Sequence, residues 1–292
     1  MEIIKEVSFL RKKIKYLQDQ KQSIGFVPTM GSLHDGHISL INKSKIENKI
    51  TICSIYINPT QFNSESDLKK YPKTLEEDLA KLKKNICDIV FLPNDYEMYG
   101  ANIHSHNYKI GNVLNTFEGQ KRPGHFLGVL TIVSKLFKMV QPNVANFGEK
   151  DFQQLWIIKK YVVSENLDLK IRFCKTIRDK FGLALSSRNQ HLSKIEMIAA
   201  QNLFASLNKF RNYVYAHFSD NQTSFLNKEE CERIKNKCTS FLMENKLIKL
   251  DYFDVIEVEN FSFATTIVQN NSYRILVAAY VGNTRLIDNI LI

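Results

Sequence analysis

The first half of the chain alternates short apolar runs with segments of helical periodicity. The runs at residues 23–29 (SIGFVPT), 50–57 (ITICSIYI) and 86–92 (ICDIVFL) are nearly continuous in apolar character. This pattern is typical of strands buried on both faces, whereas a strand with one wet face alternates apolar and polar residues. Strands that alternate with helices predict an α/β fold with a parallel sheet and right-handed crossovers.

A helix is predicted between the second and third of these runs. Leu75, Leu79 and Leu82 recur at helical spacing. Thr74 with Glu77 three residues later predicts a capping box at the start of this helix.

The same alternation continues toward the middle of the chain. Residues 126–140 are apolar on nearly all sides, which predicts a helix buried on most of its faces. A strand at residues 143–147, a helix from 151 to about 163 and a strand at 169–174 extend the parallel sheet.

The alternation of predicted strands and helices ends at about residue 177. Two long helices and then two strands are predicted, at residues 193–215, 228–246, 252–258 and 274–281. Residues 219–227 are expected to be a loop between the helices. Helices followed by strands indicate a smaller α+β domain, so we expect two domains, at residues 1–176 and 177–292.

Composition and charge fit a folded protein with an anionic ligand. The chain has 292 residues, 44% of them hydrophobic and 24% charged, which allows two ordinary domains. Its formal net charge is +10, and residues 1–176 carry 26 Lys and Arg against 18 Asp and Glu. This excess suits a nucleotide and equally suits nucleic acid, so charge alone does not distinguish them.

The sequence shows no targeting or membrane signal. Its start lacks the apolar core and small-residue cleavage site of a signal peptide, and the apolar stretch at residues 126–140 is interrupted by Lys135 and Lys138. The five cysteines form no CxxC pair, so we expect reduced core residues and no zinc site. These features predict a cytoplasmic protein.

The segment PTMGSLHDGH, at residues 28–37, lies between the first apolar run and a helix that contains Ile38 and Ile41. A loop there offers backbone N–H groups and the positive end of a helix to a phosphate. His34 and His37 can face one side and donate hydrogen bonds to its oxygens. Two surface histidines are the plainer interpretation, but the strand-loop-helix placement favours the HxGH motif of adenylyl-transferring enzymes.

Two further segments follow predicted strands. In NPTQF, residues 58–62, Gln61 offers an amide donor and acceptor to a hydroxy acid, although a glutamine in such a turn has by default no other role. In FGEKDFQQ, residues 147–154, Lys150 is a point charge for a phosphate. Asp151 either accepts from ribose hydroxyls or caps the following helix, and both interpretations stay open.

A fourth segment, LSSRN at residues 185–189, supplies two hydroxyls and a guanidinium that can clamp a leaving pyrophosphate, whereas alone it would be a plain turn. Together with RPGHF at residues 122–126, these segments resemble the pantothenate synthetase family in order and spacing. The resemblance runs from about residue 25 to 189. A weaker similarity follows in TRLIDN, residues 284–289.

The resemblance implies the fold and the reaction. A Rossmann-like parallel sheet flanked by helices, residues 1–176, would bind ATP and pantoate, and a smaller C-terminal α+β domain, residues 177–292, would act as a lid. The enzyme would be an ATP-dependent ligase that condenses (R)-pantoate with β-alanine through a pantoyl adenylate, giving pantothenate, AMP and pyrophosphate, for coenzyme A precursor biosynthesis. It would be a cytoplasmic homodimer with ATP as co-substrate and Mg²⁺ as cofactor, and neither nucleic acid nor a membrane would be its partner.

The resemblance also implies roles for single residues. Four would be catalytic: His34, His37, Lys150 and Arg188. His37 would be the candidate proton donor. Others would bind ATP with them: Met30, Gly31, Ser32, Leu33, Asp35, Gly36, Gly148, Glu149, Asp151, Ile177, Leu185, Ser186 and Ser187. Gln61 and Gln154 would bind pantoate.

Magnesium would need few protein ligands, because this ion keeps several waters and binds substrate phosphates. Among Glu76, Glu77 and Asp78, we expect Asp78 to be a ligand. The alternative is that these acids only stabilise the first turn of their helix.

The chain departs from the family pattern at two positions. Phe181 stands where the family has an acid, and Leu185 stands where it has a methionine. We expect these changes to alter contacts around the adenine.

Two other functions fit part of the sequence. Another nucleotidyltransferase would share the HxGH segment but has no need for Gln61 and Gln154 as a pair. A basic nucleic-acid-binding protein would fit the net charge, but the basic residues are scattered and no aromatic-interleaved patch accompanies them.

Overall fold

The computed structural model describes residues 1–221 and 223–292, and the chain divides into two compact units, Met1–Thr176 and Ile177–Ile292. The helices are α1 Val7–Asp19, α2 Asp35–Glu47, α3 Glu65–Lys70, α4 Leu75–Lys84, α5 Asp95–Tyr99, α6 Glu118–Lys121, α7 His125–Val140, α8 Phe152–Ser164, α9 Lys194–Asn221 and α10 Lys228–Met243. The strands are β1 Glu2–Ile4, β2 Ile24–Thr29, β3 Ile50–Ile55, β4 Ile89–Phe91, β5 Val144–Gly148, β6 Lys170–Cys174, β7 Phe225–Leu226, β8 Ile248–Glu257, β9 Ser262–Phe263, β10 Ile267–Val268, β11 Tyr273–Val281 and β12 Thr284–Leu291. Short 3₁₀ turns at Pro59–Gln61, Asn112–Asn115, Glu149–Asp151 and Ser187–His191 connect some of them.

The first unit is built on a six-stranded sheet with the order β1-β4-β3-β2-β5-β6, and every pairing in it is parallel. This confirms the predicted α/β fold. β2 lies between β3 and β5, so the loops that follow these three strands emerge side by side at the carboxyl edge. In open parallel sheets, ligands bind at this kind of edge, where neighbouring strands send their connections in different directions.

The predicted strands of this sheet are present, but some are shorter than the apolar runs. β3 ends at Ile55, and β4 covers only Ile89–Phe91. β1 was not predicted, because three residues are too few for a readable periodicity. Its place depends on a long-range pairing, in which Ile3 lies opposite Val90 of β4.

The helix predicted around Leu82 is α4, and Leu82 is fully buried. The capping box predicted for its start is wrong. The hydroxyl of Thr74 donates to Oδ2 of Asp78 at 3.2 Å and makes no cap hydrogen bond. The Thr74 hydroxyl therefore binds the side chain of Asp78 instead of capping α4.

α7 confirms the prediction of a helix buried on most faces, because 13 of its 16 residues are buried. Gly128 allows the helix to approach the turn after β3 closely. A Cβ built at Gly128 would lie 2.2 Å from the carbonyl oxygen of Thr60, so no larger residue fits without a shift of backbone.

The second unit contains a four-stranded antiparallel sheet, with the order β12-β11-β8-β9, together with α9 and α10. This confirms the predicted helices followed by strands. The final strand β12 was not predicted, although its residues include the TRLIDN segment. The loop expected at residues 219–227 is partly wrong, because α9 extends to residue 221 and β7 pairs with β10; Gln222 lies outside the described residues.

All five cysteines are buried and free of disulfides, as expected: Cys53, Cys87, Cys174, Cys231 and Cys238. Within residues 1–221 and 223–292, no helix is both long and apolar enough to cross a membrane.

A substitution at Gly25 in β2 tests the close contact between this strand and α2. A Cβ built there would lie 2.1 Å from Oγ of Ser44 and 2.5 Å from Nδ2 of Asn48, both buried. We expect Gly25→Ala to lower the free energy of unfolding by about 2 kcal/mol through overpacking, measured by urea denaturation. Gly148→Ala is the matched control, because a Cβ at this strand glycine would meet no atom within 4 Å. Equal stability of the two variants would contradict the packing shown here.

Candidate active site

The loop after β2 turns sharply before α2 begins. Gly31 has a φ of +80° and Ser32 a φ of +52°, so two successive residues adopt the left-handed conformation. The turn directs the N–H groups of Ser32 and Leu33 onto the carboxylate of Asp78, at 2.9 Å and 2.7 Å. Asp78 is 1% exposed and holds a strained loop in place from the first turn of α4.

Lys81, one helical turn after Asp78, holds the same loop by an opposite contact. Its Nζ donates to the carbonyl oxygen of Leu33 at 2.7 Å. α4 therefore binds the loop with an acid that accepts from N–H groups and a base that donates to a carbonyl. Neither role was predicted, since an acid and a lysine on a helix surface are common without such contacts.

Five backbone N–H groups of the loop have acceptors within the protein. Besides the two that bind Asp78, Gly31 donates to Oγ1 of Thr29, and His34 donates to Nδ1 of His37. Gly36 donates to Nδ1 of His34. The expectation that these N–H groups bind a phosphate is therefore not supported by the geometry, because each already has a partner.

The side chains of His34 and His37 form a reciprocal cap at the start of α2, and their ring centroids are 4.2 Å apart. In each ring, Nδ1 accepts a backbone N–H. The proton of a neutral imidazole must then be on Nε2, so each ring has one N–H donor left that does not bind the backbone. Two such donors lie side by side at the carboxyl edge of the sheet.

Burial and nearby positive charge keep both imidazoles neutral. Desolvation, followed by the charge of Lys150, lowers the pKa of His34 below its usual value. Desolvation, followed by His34, lowers the pKa of His37 to about 3. At neutral pH both rings are therefore neutral hydrogen-bond donors, and the role of His37 as proton donor stays a prediction.

Lys150 and Asp151 lie in the 3₁₀ turn after β5, next to β2 in the sheet. The Lys150 side chain is 18% exposed, and its charge acts on both histidines. Its Nζ is 3.5 Å from Oδ1 of Asp151. Asp151 makes no side-chain cap hydrogen bond to α8, so the interpretation as a helix cap is wrong and the binding interpretation is left.

Gln61 lies in a buried polar network after β3. Asn58, which is 1% exposed, donates through Nδ2 to Oε1 of Gln61 at 3.0 Å and to the carbonyl oxygen of Gly128. Oδ1 of Asn58 accepts from the hydroxyls of Tyr99 and Thr60. These contacts fix the amide so that Nε2 of Gln61 points away from Asn58, and it lies 2.9 Å from the sulfur of Met30, beside the histidine loop.

His125, in the RPGHF segment, fixes the backbone of Gln61. Its Nδ1 donates to the carbonyl oxygen of Gln61 at 2.7 Å, and Nη1 of Arg122 donates to its Nε2 at 3.1 Å. Burial and the charge of Arg122 lower the pKa of His125 to about 4, so the ring is neutral. The sequence pattern predicts no role for Asn58, Tyr99 or His125. Asn58 and His125 do lie inside segments that resemble the family, NPTQF and RPGHF.

The two glutamines at the start of α8 have different surroundings. Gln153 is buried, donates to the carbonyl oxygens of Val113 and Thr116, and accepts from the N–H of Glu118. Gln154 is half-buried. The structural role thus falls on Gln153, and Gln154 stays the predicted pantoate ligand.

The remaining predicted residues belong to the second unit. Ile177 and Leu185 pair through their backbones, with the N–H of Leu185 donating to Ile177 at 2.9 Å. Oγ of Ser186 accepts from the N–H of Arg188, and the Arg188 side chain is exposed. Phe181, the departure from the family pattern, is 58% exposed.

The contacts of Asp78 do not fit a magnesium ligand. Both of its oxygens already accept from N–H or O–H donors, and the side chain is buried. Among the described residues, no group of three or more His, Cys, Asp or Glu is arranged to hold a metal ion. The part of the chain that the structure describes therefore offers no metal site built from three or more such side chains.

A parallel sheet with a neutral histidine pair at the start of the helix after its central strand defines an α/β fold of the HxGH nucleotidyl-transferring class. Comparisons with known proteins narrow this class. A family model described as pantoate-beta-alanine ligase matches residues 2–291. The chain therefore belongs to the pantoate-beta-alanine ligase family of enzymes.

Relatives and solved structures agree with this assignment. The chain is 41% identical to a pantothenate synthetase of Azobacteroides pseudotrichonymphae over 99% of both chains. It is 40% identical to that of Alteromonas mediterranea, over 100% of this chain and 99% of the other. A pantothenate synthetase structure from Thermus thermophilus has a TM-score of 0.87 at 32% identity, with 99% of each chain covered.

A second similar structure is that of a complex with ligands. It is a pantoate-beta-alanine ligase from Francisella tularensis, complexed with beta-gamma ATP and beta-alanine. Its TM-score is 0.77 at 37% identity, and it covers 100% of this chain and 97% of that chain. The resemblance seen in the sequence is thus confirmed at the level of the family.

Asp78→Asn distinguishes a loop anchor from a metal ligand. An amide cannot accept both backbone N–H groups and the Thr74 hydroxyl, so we expect a loss of about 1–3 kcal/mol in stability. The loss should be the same in EDTA and in magnesium, measured by urea denaturation without nucleotide. Glu77→Gln, at an exposed acid of the same helical turn, is the control and should stay within about 0.5 kcal/mol of the parent. A stability difference that appears only with magnesium would favour a metal ligand.

Proposed function

We propose that this protein condenses pantoate with β-alanine at the expense of ATP, through a pantoyl adenylate that releases pyrophosphate when it forms and AMP when the amine attacks. The observation that carries the proposal is the pair of Nε2–H donors on His34 and His37 next to Lys150, at the carboxyl edge of a parallel sheet. The ligands in the description of the Francisella structure support ATP and β-alanine as substrates.

Activation is chemically required, because a carboxylate is a poor electrophile with no acceptable leaving group. In the first step a carboxylate oxygen of pantoate attacks the α-phosphorus, and the bond to the bridging oxygen of pyrophosphate breaks. The charge that develops on the phosphate oxygens would be stabilised by donors that are already oriented, His34 and His37, and by Lys150. Neutral imidazoles suit this role because, unlike imidazolium rings, they do not repel each other or Lys150.

The hydroxy acid would bind beside the phosphates, at Gln61 and Gln154. The Asn58 network holds the Gln61 amide in one orientation, in which Nε2 donates to the sulfur of Met30 and has a second N–H to offer. A fixed amide discriminates well between substrates, because an analogue without the matching group leaves a buried donor unpaired. Ser186, Ser187 and Arg188 would bind the departing pyrophosphate.

In the second step the neutral amine of β-alanine attacks the acyl carbon, and AMP leaves with the electrons of the acyl-phosphate bond. The ammonium group of β-alanine must lose one proton before this attack, and the attacking nitrogen loses a second proton as the amide forms. Magnesium, also part of the proposal, would be held mainly by phosphate oxygens of the nucleotide, since this ion keeps several waters and needs few protein ligands.

The compartment and the oligomeric state of the enzyme are also part of the proposal. Five buried thiols suit a reducing compartment such as the cytoplasm. A homodimer, implied by the family resemblance, would be tested by light scattering of the purified protein.

The substrate dependence of AMP release tests the reaction. With ATP, magnesium, pantoate and β-alanine, we expect one AMP per pantothenate. With pantoate alone we expect one burst of pyrophosphate and a bound adenylate, and with β-alanine alone neither product. Lactate and 2-hydroxyisovalerate serve as control acids. AMP release that is independent of pantoate, or equal with the control acids, would refute the proposed substrate.

Substitutions at the histidine loop test the assigned chemistry. His34 also caps α2, so His34→Asn is preferable to alanine, because an Asn side chain keeps an acceptor for the cap while the donor at Nε2 is lost. We expect adenylation to slow about 10²- to 10³-fold with little change in stability, and Lys150→Ala to slow it similarly. Lys160→Ala, at an exposed lysine of α8, is the control. Near-normal adenylate formation in both His34→Asn and Lys150→Ala would overturn the assignment.

A further inference from the structure

The TRLIDN segment has a similarity to the family but no role in the reaction as described. It lies in β12, where Asp288 pairs with Val277 of β11. Asp288 is 4% exposed, and an acid is rarely so buried without a partner. Its partner therefore indicates what the segment does.

The partner of Asp288 is Arg178, 110 residues earlier in the chain. Nη1 and Nη2 of Arg178 donate to the two carboxylate oxygens at 2.5 Å and 2.8 Å, which is a bidentate pair. The same guanidinium donates to the carbonyl oxygens of Gly182 and Asn289, and it stacks on the ring of Phe204 at 3.8 Å. The N–H of Asn289 also donates to Asp288.

Desolvation makes a buried ion pair a weak source of net stability. Its removal is nevertheless costly, because the remaining charge is left buried without a counterion. The Arg178–Asp288 pair is therefore important for the segments that it orients, since its net contribution to stability is small.

Arg178 lies at the start of a short hairpin. Arg178 and Ala184 form an antiparallel bridge, and Leu185 donates from its N–H to Ile177. Oδ1 of Asp179 accepts from the N–H groups of Phe181 and Leu183 at the turn.

Arg178 fixes this turn from a second direction. Gly182 has a φ of +94°, and its carbonyl oxygen accepts from Arg178. Through Arg178 the first strand of the hairpin is thus attached to Asp288, to the carbonyl oxygen of Asn289 and to the ring of Phe204.

The second strand of the hairpin runs directly into Ser186, Ser187 and Arg188. On the other side of this segment, Nδ2 of Asn189 donates to the carbonyl oxygen of Ala184 at 3.0 Å, which closes a small loop back onto the hairpin. The direction in which Ser186 to Arg188 leave the hairpin therefore depends on the hairpin being held, and Asp288 is one of the groups that hold it.

We propose that Asp288 is a positioning residue for the phosphate-binding segment of residues 186–188, and that it acts through Arg178. The inference rests on the proposed function of that segment in gripping the departing pyrophosphate. Through these contacts, an acid near the end of the chain would affect a step at a segment distant in sequence. Asp288 does not contact substrate in this proposal.

Measuring the two half-reactions separately distinguishes a positioning role of Asp288 from a general effect on stability. In Asp288→Asn, which keeps the size but removes the charge, we expect pantoyl-adenylate formation to slow about 10- to 100-fold with a raised KM for ATP. Conversion of supplied pantoyl adenylate with β-alanine should stay within about twofold of the parent rate, because pyrophosphate is absent from that step. Arg178→Lys, which cannot bind both carboxylate oxygens in a fork, should change the first step in the same direction.

Asp251→Asn is the matched control. Asp251 pairs with Arg285 between β8 and β12 of the same sheet at 2.9 Å; the two arginine side chains are equally exposed, at 16%, whereas Asp251 is 12% exposed against 3% for Asp288. It makes none of the described contacts to the hairpin. We expect Asp251→Asn to lose stability without a selective loss of the first half-reaction.

The outcomes decide the proposal independently of the overall function. If Asp288→Asn and Asp251→Asn slow both half-reactions equally, or if Asp288→Asn leaves adenylation unchanged, Asp288 has no positioning role. Amide exchange gives a readout without turnover: the N–H of Leu185 and those of residues 186–189 should exchange faster in Asp288→Asn than in Asp251→Asn. If the parent enzyme itself forms no adenylate, the proposed function fails instead, and the exchange data alone then judge the anchoring of the hairpin.

Discussion

The carboxylate of Asp78 determines the geometry of the site in the first unit. A loop with two successive left-handed residues is unfavourable in isolation, and the N–H groups of Ser32 and Leu33 would have no regular partner in it. Asp78 satisfies both N–H groups from the neighbouring α4, and Lys81 satisfies the carbonyl of Leu33. The loop is thus held by side chains, and it places His34 and His37 at the start of α2.

This arrangement assigns phosphate recognition to side chains. Glycine-rich loops elsewhere in α/β proteins bind phosphate through free backbone N–H groups. Here five N–H groups of the loop hold the loop itself, and the Nε2–H groups of two imidazoles are donors offered to a ligand. Low pKa values follow from burial and from Lys150, and they keep the rings neutral and the donors in one known tautomer. The anchoring and the protonation state are consequences of the same packing.

The sequence predicted the elements of this site better than the contacts within them. Buried strands and a buried α7 have strong one-dimensional patterns, so the parallel sheet and the edge at which the loops meet could be predicted. β1 and β12 could not, because a three-residue strand has no period and β12 carries alternating charges and apolar residues that also fit a surface segment. The contacts of Asp78 and Asn58 depend on which atoms the fold brings together across 45 to 70 residues of chain. No local pattern encodes that distance.

Asp78 and Asp288 show the same physical device in the two units. Each is a nearly fully buried carboxylate whose oxygens accept from donors on a segment distant in sequence, and each of those segments leads into residues assigned to phosphate binding. A carboxylate suits this task because it accepts several hydrogen bonds and has no donor of its own that needs a partner. In sequence, the first looks like an ordinary acid at a helix start and the second like an acid in a strand. Their function is therefore carried by the direction of a few hydrogen bonds, which explains why a residue expected to bind a metal is found to orient a loop.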